Sequence, residues 1–146
     1  MSRLTYVYGK LPAQDVQRAR RFYQETLGLS PFAEHNNHLY YEAAGVRFLI
    51  FPSVGAPSGT HDQLGLVVED LRQEMADLRS AGVVFQTYPG VTDDSGIMAV
   101  TRPGVDQGTM KAAWFKDSEG NLISLAENAG IVPETNTPTS RASIKR

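Results

Sequence analysis

The sequence predicts a small α+β protein made of two similar halves, each with a strand, a helix and further strands in that order. Apolar side chains recur at helical spacing after Asp15 and again after Asp70, and strand-like runs flank both segments. The chain continues to a last pair of strand-like runs around a turn that contains Asp117, Gly120 and Asn121. Asp and Asn bond to nearby backbone and Gly accepts positive φ, so this turn predicts a tight hairpin.

In the first half, a strand is predicted over residues 4–11, followed by a helix with Asp15 as N-cap and Gly28 as its C-terminal stop. The apolar stripe of this helix consists of Val16, Ala19, Phe22, Tyr23 and Leu27. Two further strands are predicted over residues 38–42 and 46–51, on either side of an Ala-Ala-Gly break.

The second half repeats this order. A strand is predicted over residues 64–68, and a helix then begins after Asp70, which with Gln73 fits a capping box. The buried stripe of this helix consists of Leu71, Met75 and Leu78, and Gly82 ends it. Further strands are predicted over residues 83–88, 112–115 and 122–126. The Gly- and Pro-rich residues 89–108 are predicted to form a long loop or an irregular strand.

Composition limits the function classes. The 146 residues have a net charge of −2 and scattered basic side chains, so no basic surface for nucleic acid or anionic membranes is predicted. No run approaches membrane-spanning length, and the first residues have no apolar signal region, so a cytoplasmic location is expected. The chain contains no cysteine, which excludes disulfides and thiolate chemistry. The polar residues 129–146 are expected to be a disordered tail.

Three segments in order, DVQRARRFYQETLGL, VVEDLRQEMADLRSAGVVF and WFKDSEGNLISL, resemble the vicinal oxygen chelate superfamily of glyoxalases, bleomycin resistance proteins and dioxygenases. The resemblance covers residues 4–127. It implies one domain, residues 1–128, of paired βαβββ modules at about residues 4–52 and 62–127 that form a curled mixed sheet. It also implies a homodimer that completes each ligand-binding trough across a two-fold axis.

In metal-using members of this family, His, Gln or Glu side chains on the first and last strands of each module ligate a divalent cation. By distance from the helix N-caps, the corresponding positions here are Tyr8, Gln63, Ser124 and either Leu49 or Phe51. A slip of two residues keeps the same strand face and would bring in His61 and Tyr6 instead. Since neither register supplies a full donor set, no metal cofactor is predicted, with a divalent metal kept as the alternative.

Strand alternation predicts an aromatic trough with a few polar side chains. The predicted ligand-binding residues are Tyr6, Tyr8, Arg47, Leu49, Phe51, His61, Gln63, Trp114 and Ser124. The opposite face is predicted to pack beneath the helices, through Val7, Leu64, Leu66, Val68, Ile123 and Leu125. Such a trough suits a flat, partly polar small molecule. The alternative is that the aromatic rings fill the interior and leave no cavity.

Three functions follow from this trough. The first is metal-free binding of a small organic molecule, as in drug-sequestering bleomycin resistance proteins. The second is a metal-dependent lyase, isomerase or dioxygenase that uses His61 and Gln63 with carboxylates from Glu42, Asp93, Asp94 or Glu127. The third is metal-free catalysis in which Tyr8 or His61 acts as acid or base. Fold alone does not choose among them.

Overall fold

The structure of the protein, a computed structural model, describes residues 3–101 and 109–127. These residues form two four-stranded sheets and two helices. The strands of the first sheet are β1 (Gly9–Ala13), β2 (Ala33–His35), β3 (His38–Ala43) and β4 (Val46–Pro52). The strands of the second sheet are β5 (Asp62–Val67), β6 (Met98–Thr101), β7 (Thr109–Lys116) and β8 (Leu122–Glu127). Helix α1 (Val16–Glu25) follows β1, and helix α2 (Leu71–Ser80) follows β5.

Both sheets have the same topology. The first sheet has the order β1-β4-β3-β2 and the second has β5-β8-β7-β6. In each sheet the first strand of the half pairs in parallel with the last, and all other neighbours are antiparallel. A parallel pair needs a crossover connection, and the helix of each half is part of that crossover. The predicted α+β fold of paired βαβββ modules is confirmed.

Both helices begin where the sequence predicts. The side chains of Asp15 and Asp70 each accept a hydrogen bond from a backbone N–H in the first helical turn, as N-caps do. Two carboxylates from the hairpin of β7 and β8 add a second bond, one at each helix start. Glu119 Oε1 accepts from the Asp15 N–H at 3.0 Å, and Glu127 Oε1 accepts from the Leu71 N–H at 2.7 Å. Both helix N-termini are therefore held by the last hairpin.

One apolar core extends through both halves on the helix side of the sheets. The predicted helix-side face is confirmed for Ile123 and Leu125, which are fully buried. Three other predicted core residues are partly buried and pack against the same core, namely Leu64, Leu66 and Val68. The prediction for Val7 is wrong, because its side chain is 74% exposed on a segment that precedes β1.

Two strand predictions need correction. The first strand begins at Gly9 and not at residue 4, because pairing with β4 starts with Gly9 opposite Phe48. Residues 83–88 are not a strand and contribute a single bridge, from Phe85 to Phe115. The segment 89–108, for which a long loop or an irregular strand is predicted, contains β6 in its described part. The predicted tail, residues 129–146, lies outside the described part of the chain. Among the described residues, no helix is long and apolar enough to cross a membrane.

The turn between β7 and β8 joins the two halves. It is the predicted hairpin turn, with Gly120 at positive φ, and its Asp117 and Asn121 side chains are buried. The Tyr23 hydroxyl, on α1, donates to Asp117 Oδ2 at 2.8 Å. The Asn121 amide donates to the Pro12 carbonyl oxygen of β1 at 3.0 Å. A turn of the second half is thus hydrogen-bonded to the first strand and first helix.

Candidate functional site

The face of each sheet that is turned away from the helices is called its open face. A cleft of about 280 Å³ lies at the first sheet. Aromatic side chains dominate its lining, which consists of Tyr6, Tyr8, Phe32, Ala33, Tyr40, Tyr41, Arg47 and Phe48. Tyr41 and Phe48 are buried, whereas Tyr6, Tyr8 and Phe32 are exposed. Exposed rings gathered on one surface in this way often mark a binding site.

Arg47 is the single charged residue of this lining. Its guanidinium lies 5.5 Å from the centre of the Tyr6 ring and 5.4 Å from the centre of the Phe32 ring. The Tyr6 and Tyr8 rings are themselves 5.6 Å apart. Stacking on aromatic faces is favourable for a guanidinium and limits its orientations. The cation is therefore held between rings at the mouth of the cleft.

A carboxylate on the neighbouring strand also fixes Arg47. Glu42 on β3 lies directly opposite Arg47 on β4, and Arg47 Nε donates to Glu42 Oε1 at 2.9 Å. Both side chains are about half exposed, so water screens this ion pair and it adds little to stability. Its effect is to orient the guanidinium.

Leu49 and Phe51 lie on the same face of β4 as Arg47, which is the open face of the first sheet. Leu49 is buried, so its side chain forms part of the floor of this face and not an accessible wall. Phe51 carries a second cation, because Lys10 Nζ lies 4.7 Å from the centre of its ring. The sequence prediction missed Lys10. The sequence contained a signal for its position, because Leu11 and Ala13 are apolar and buried, so the alternation of the strand places Lys10 on the opposite, open face.

A second cleft, of about 410 Å³, lies at the second sheet. Its lining mixes polar and aromatic residues, namely Gly59, Thr60, His61, Asp62, Tyr88, Val91, Trp114 and Leu122. The Tyr88 and Trp114 rings meet edge to face at 5.8 Å. His61 Nδ1 lies 3.4 Å from Ser58 Oγ.

Next to this cleft, Trp114, Ser124 and Gly65 lie side by side across β7, β8 and β5. A Cβ on Gly65 would lie only 3.2 Å from Ser124 Oγ, so this row has room only for small side chains beside the indole. Gln63 does not continue the row. The register of β5 on β8 shifts between Asp62 and Leu64, which leaves Gln63 without a paired partner and breaks the alternation on which its placement depended.

The structure divides the predicted trough between two clefts. Tyr6, Tyr8 and Arg47 line the first, whereas His61 and Trp114 line the second. The two linings share no residue. The other predicted site residues, Leu49, Phe51, Gln63 and Ser124, are in neither lining. A single ligand could contact the predicted residues of both clefts only if the two clefts lay against each other.

Three carboxylates considered for a metal site already have other partners. Glu42 binds Arg47, and Glu127 caps α2. Asp93 accepts hydrogen bonds from the Ser95 hydroxyl and from backbone N–H groups, and these bonds lower the pKa of its carboxyl. Within residues 3–101 and 109–127, no three His, Asp or Glu side chains are grouped so that they could hold a metal ion.

A family model described as the Glyoxalase/Bleomycin resistance protein/Dioxygenase superfamily matches residues 4–125. Among solved structures, UcmS2 is 24% identical, with a TM-score of 0.61 over 86% of this chain and 98% of its own. The fosfomycin resistance protein FosX from Listeria monocytogenes is 13% identical, with a TM-score of 0.63 over 88% and 95%. A glyoxalase/bleomycin resistance protein/dioxygenase from Nocardioides is 16% identical, with a TM-score of 0.60 over 92% and 91%. At these identities the likeness shows the fold alone. Among curated proteins, no sequence matches this chain.

Proposed function

We propose that this chain, which belongs to the Glyoxalase/Bleomycin resistance protein/Dioxygenase superfamily, binds a flat, partly polar organic molecule without using a metal ion. The observation that carries the proposal is the group of aromatic side chains around one oriented guanidinium in the first cleft. Ligand sites combine aromatic walls with a few placed polar groups, and this cleft has both. The form of the proposal that we favour is drug sequestration, because an aromatic cleft suits binding and, among the described residues, no three His, Asp or Glu side chains are grouped to hold a metal ion.

Exposed aromatic rings are costly to leave in water, and a planar ligand relieves that cost by stacking on them. Tyr6 and Phe32, which flank Arg47, are both more than half exposed. Tyr8 is 40% exposed and lies against Tyr6. These rings contribute little to the folded core, and their exposed surface that Arg47 does not cover is open to a ligand.

The donor chemistry of the clefts supports a metal-free site. Divalent transition metals prefer three or four His, Asp, Glu or Cys ligands, and the two linings together contain one histidine and one aspartate, His61 and Asp62. The carboxylates of Glu42 and Glu127 are bound to an arginine and to a helix N-terminus. A metal site would have to displace those bonds.

We further propose that two copies of the chain form a homodimer in which the first cleft of one copy meets the second cleft of the other. The first cleft is slightly smaller than the range of about 300–1,000 Å³ that is usual for small-molecule sites, and the second is near its lower end. The strands β1 and β5 are edge strands in the single chain, and Val67 on β5 is exposed. Light scattering after size-exclusion chromatography measures the mass, for which we expect twice 16.0 kDa.

The experiment for ligand binding is a thermal-shift screen of flat aromatic natural products, followed by calorimetry on Tyr8→Ala. We expect this variant to lose about 0.5–1.5 kcal/mol of binding free energy from stacking, in addition to the loss that follows from the smaller buried apolar area, because one ring is removed. Its melting temperature should change little, since Tyr8 lies outside the core.

Val7→Ala is the matched control. Val7 is the adjacent residue on the same segment and is more exposed than Tyr8, but it does not line the cleft. Its substitution should leave affinity unchanged. Unchanged affinity in Tyr8→Ala as well would place the ligand elsewhere on the protein and contradict the proposed site.

A further inference from the structure

The orientation of Arg47 leaves its two terminal nitrogens without a hydrogen-bond partner in the described part of the chain. Its Nε is bound to Glu42, and its guanidinium is stacked between Tyr6 and Phe32. Among the residues that the structure describes, neither terminal nitrogen of Arg47 has a hydrogen-bond acceptor. These nitrogens carry the paired N–H groups that bind a carboxylate or phosphate in a fork.

The charges on the open face of the first sheet favour a negative ligand. Two cations, Lys10 and Arg47, lie on this face, each against an aromatic ring. Glu42 is the acidic side chain on the same face of β3 and β4, and it is already paired. The cleft lining itself contains no Asp or Glu. A cationic ligand would meet two like charges and no free carboxylate, which costs affinity.

We propose that the ligand of the first cleft is an aromatic anion, a flat ring system that carries a carboxylate or an equivalent anionic group. The ring stacks on the exposed tyrosine and phenylalanine side chains, and the terminal nitrogens of Arg47 bind the anionic group. This inference rests on the proposed function and adds the charge of the ligand to it. Lys10 supplies longer-range attraction from the other end of the face.

Three probes with the same ring and different charge test the proposal: 2-naphthoate, 2-naphthylmethanol and 2-naphthylmethylammonium. Calorimetry at pH 7 and low salt measures the dissociation constant of each for the full chain. We expect naphthoate to bind tightest and naphthylmethylammonium weakest. The preference for naphthoate should fall as salt is added, because screening weakens exposed charge pairs.

Two variants act in opposite directions on naphthoate. Arg47→Gln should weaken its binding about three- to tenfold, as expected for losing a half-exposed charge-assisted contact, and should change naphthylmethanol binding less than about twofold. Glu42→Gln should strengthen naphthoate binding about two- to fivefold, because it removes the competing carboxylate. The control is Arg21→Gln, the same change of charge at an exposed position on α1, which should change the affinity of each probe by less than about 1.5-fold, because an exposed and distant charge is screened.

The outcomes separate the two proposals. Equal affinity for the three probes, or a preference for the ammonium probe, overturns the anionic ligand while leaving aromatic binding intact. Equal losses of naphthoate affinity in Arg47→Gln and Glu42→Gln would show that the ion pair between these residues is only structural. That result would also overturn the proposal of an anionic ligand. If none of the probes binds the native chain, the proposed aromatic-binding function fails with it.

Discussion

Two buried tyrosines provide a matched test of the contact between the two halves of the protein. Tyr23 and Tyr41 are 0% and 1% exposed, and their ring centres are 5.6 Å apart in the same core. The Tyr23 hydroxyl donates to Asp117 Oδ2 at 2.8 Å. The Tyr41 hydroxyl is buried without a hydrogen-bond partner among the described residues. Changing either to Phe removes one oxygen from the same environment, so the difference reports on the hydrogen bond.

Tyr23→Phe should lower the free energy of unfolding by about 1.5–3 kcal/mol, the usual worth of a buried hydrogen bond to a charged group. The loss stays within this range because Asp117 keeps other donors. Its Oδ1 accepts from the backbone N–H groups of Glu119 and Asn121, and its Oδ2 accepts from the Asn121 amide. The carboxylate therefore remains partly satisfied when the tyrosine hydroxyl is removed.

Tyr41→Phe should be neutral or should raise the free energy of unfolding by up to about 1 kcal/mol. A buried hydroxyl without a partner has lost its bonds to water, and removing it ends that cost. The ring remains, so its parallel stacking on Phe48 at 4.9 Å is kept. The two substitutions, identical in chemistry, are thus expected to differ in sign or by more than about 1.5 kcal/mol.

The assay is urea denaturation at pH 7 followed by circular dichroism, with the m-values of both variants compared with that of the native chain. Equal losses in Tyr23→Phe and Tyr41→Phe would refute the reasoning, because the hydrogen bond to Asp117 would then contribute nothing specific. A changed m-value in Tyr23→Phe alone would indicate that the two halves no longer unfold together.

Alkaline pH gives an independent readout of the same pair. Burial raises the pKa of Tyr41 to about 12, and burial together with the negative charge of Asp117 raises the pKa of Tyr23 well above its usual value. A raised pKa means that stability is constant below the unfolded-state value near pH 10 and is lost as pH rises above it. The loss should be about 1.4 kcal/mol per pH unit for each buried tyrosine. Tyr41→Phe should flatten this slope between about pH 10 and 12.

Three further predictions concern the core, the acid range and metal content. Ile123→Ala should lower the free energy of unfolding, measured by urea denaturation, by about 2–5 kcal/mol, and Leu66→Ala, at a partly buried position, by roughly half as much. Losses below about 1 kcal/mol at both positions would show that the strand faces are assigned the wrong way round. Burial raises the pKa of Glu119, but hydrogen bonds from Arg18, the Asp15 N–H and Ser118 outweigh it and lower the pKa overall. Glu119 therefore contributes stability above about pH 4.3 that is lost as pH falls, and Glu119→Gln should unfold at lower urea at pH 7 but show a shallower acid loss. Elemental analysis of protein purified without chelator should find no stoichiometric Zn, Ni, Fe or Mn, and one metal ion per chain, lost on His61→Ala, would contradict the metal-free proposal.

The parts of the fold that depend on local signals could be predicted from the sequence. Asp15 and Asp70 cap their helices because a short acceptor side chain satisfies the first backbone N–H groups wherever a helix starts. The alternation in β8 placed Ile123 and Leu125 on the buried face correctly, because a strand paired without a bulge keeps period two. These signals lie within a few residues of the structure they determine.

The parts that depend on distant pairing could not be predicted in this way. Tyr6 and Tyr8 have strand-like composition, but pairing with β4 begins only at Gly9, so the segment before it is not a strand. Gln63 was placed by counting back from Asp70, and the register shift in β5 breaks that count. A strand needs a partner, and the position of a bulge depends on both strands.

The candidate site was harder to predict than the fold because different residues determine the two. In the last hairpin, Asp117 and Asn121 are buried and bonded to the first half, so the role of these two side chains is architectural. Ser124, at the position where the family resemblance implies a metal ligand, lies on the open face next to Gly65 and is outside the core. The turn that identifies the fold is therefore physically separate from the position that would identify the chemistry. For that reason the function has to be tested at the first cleft, at Arg47 and Tyr8.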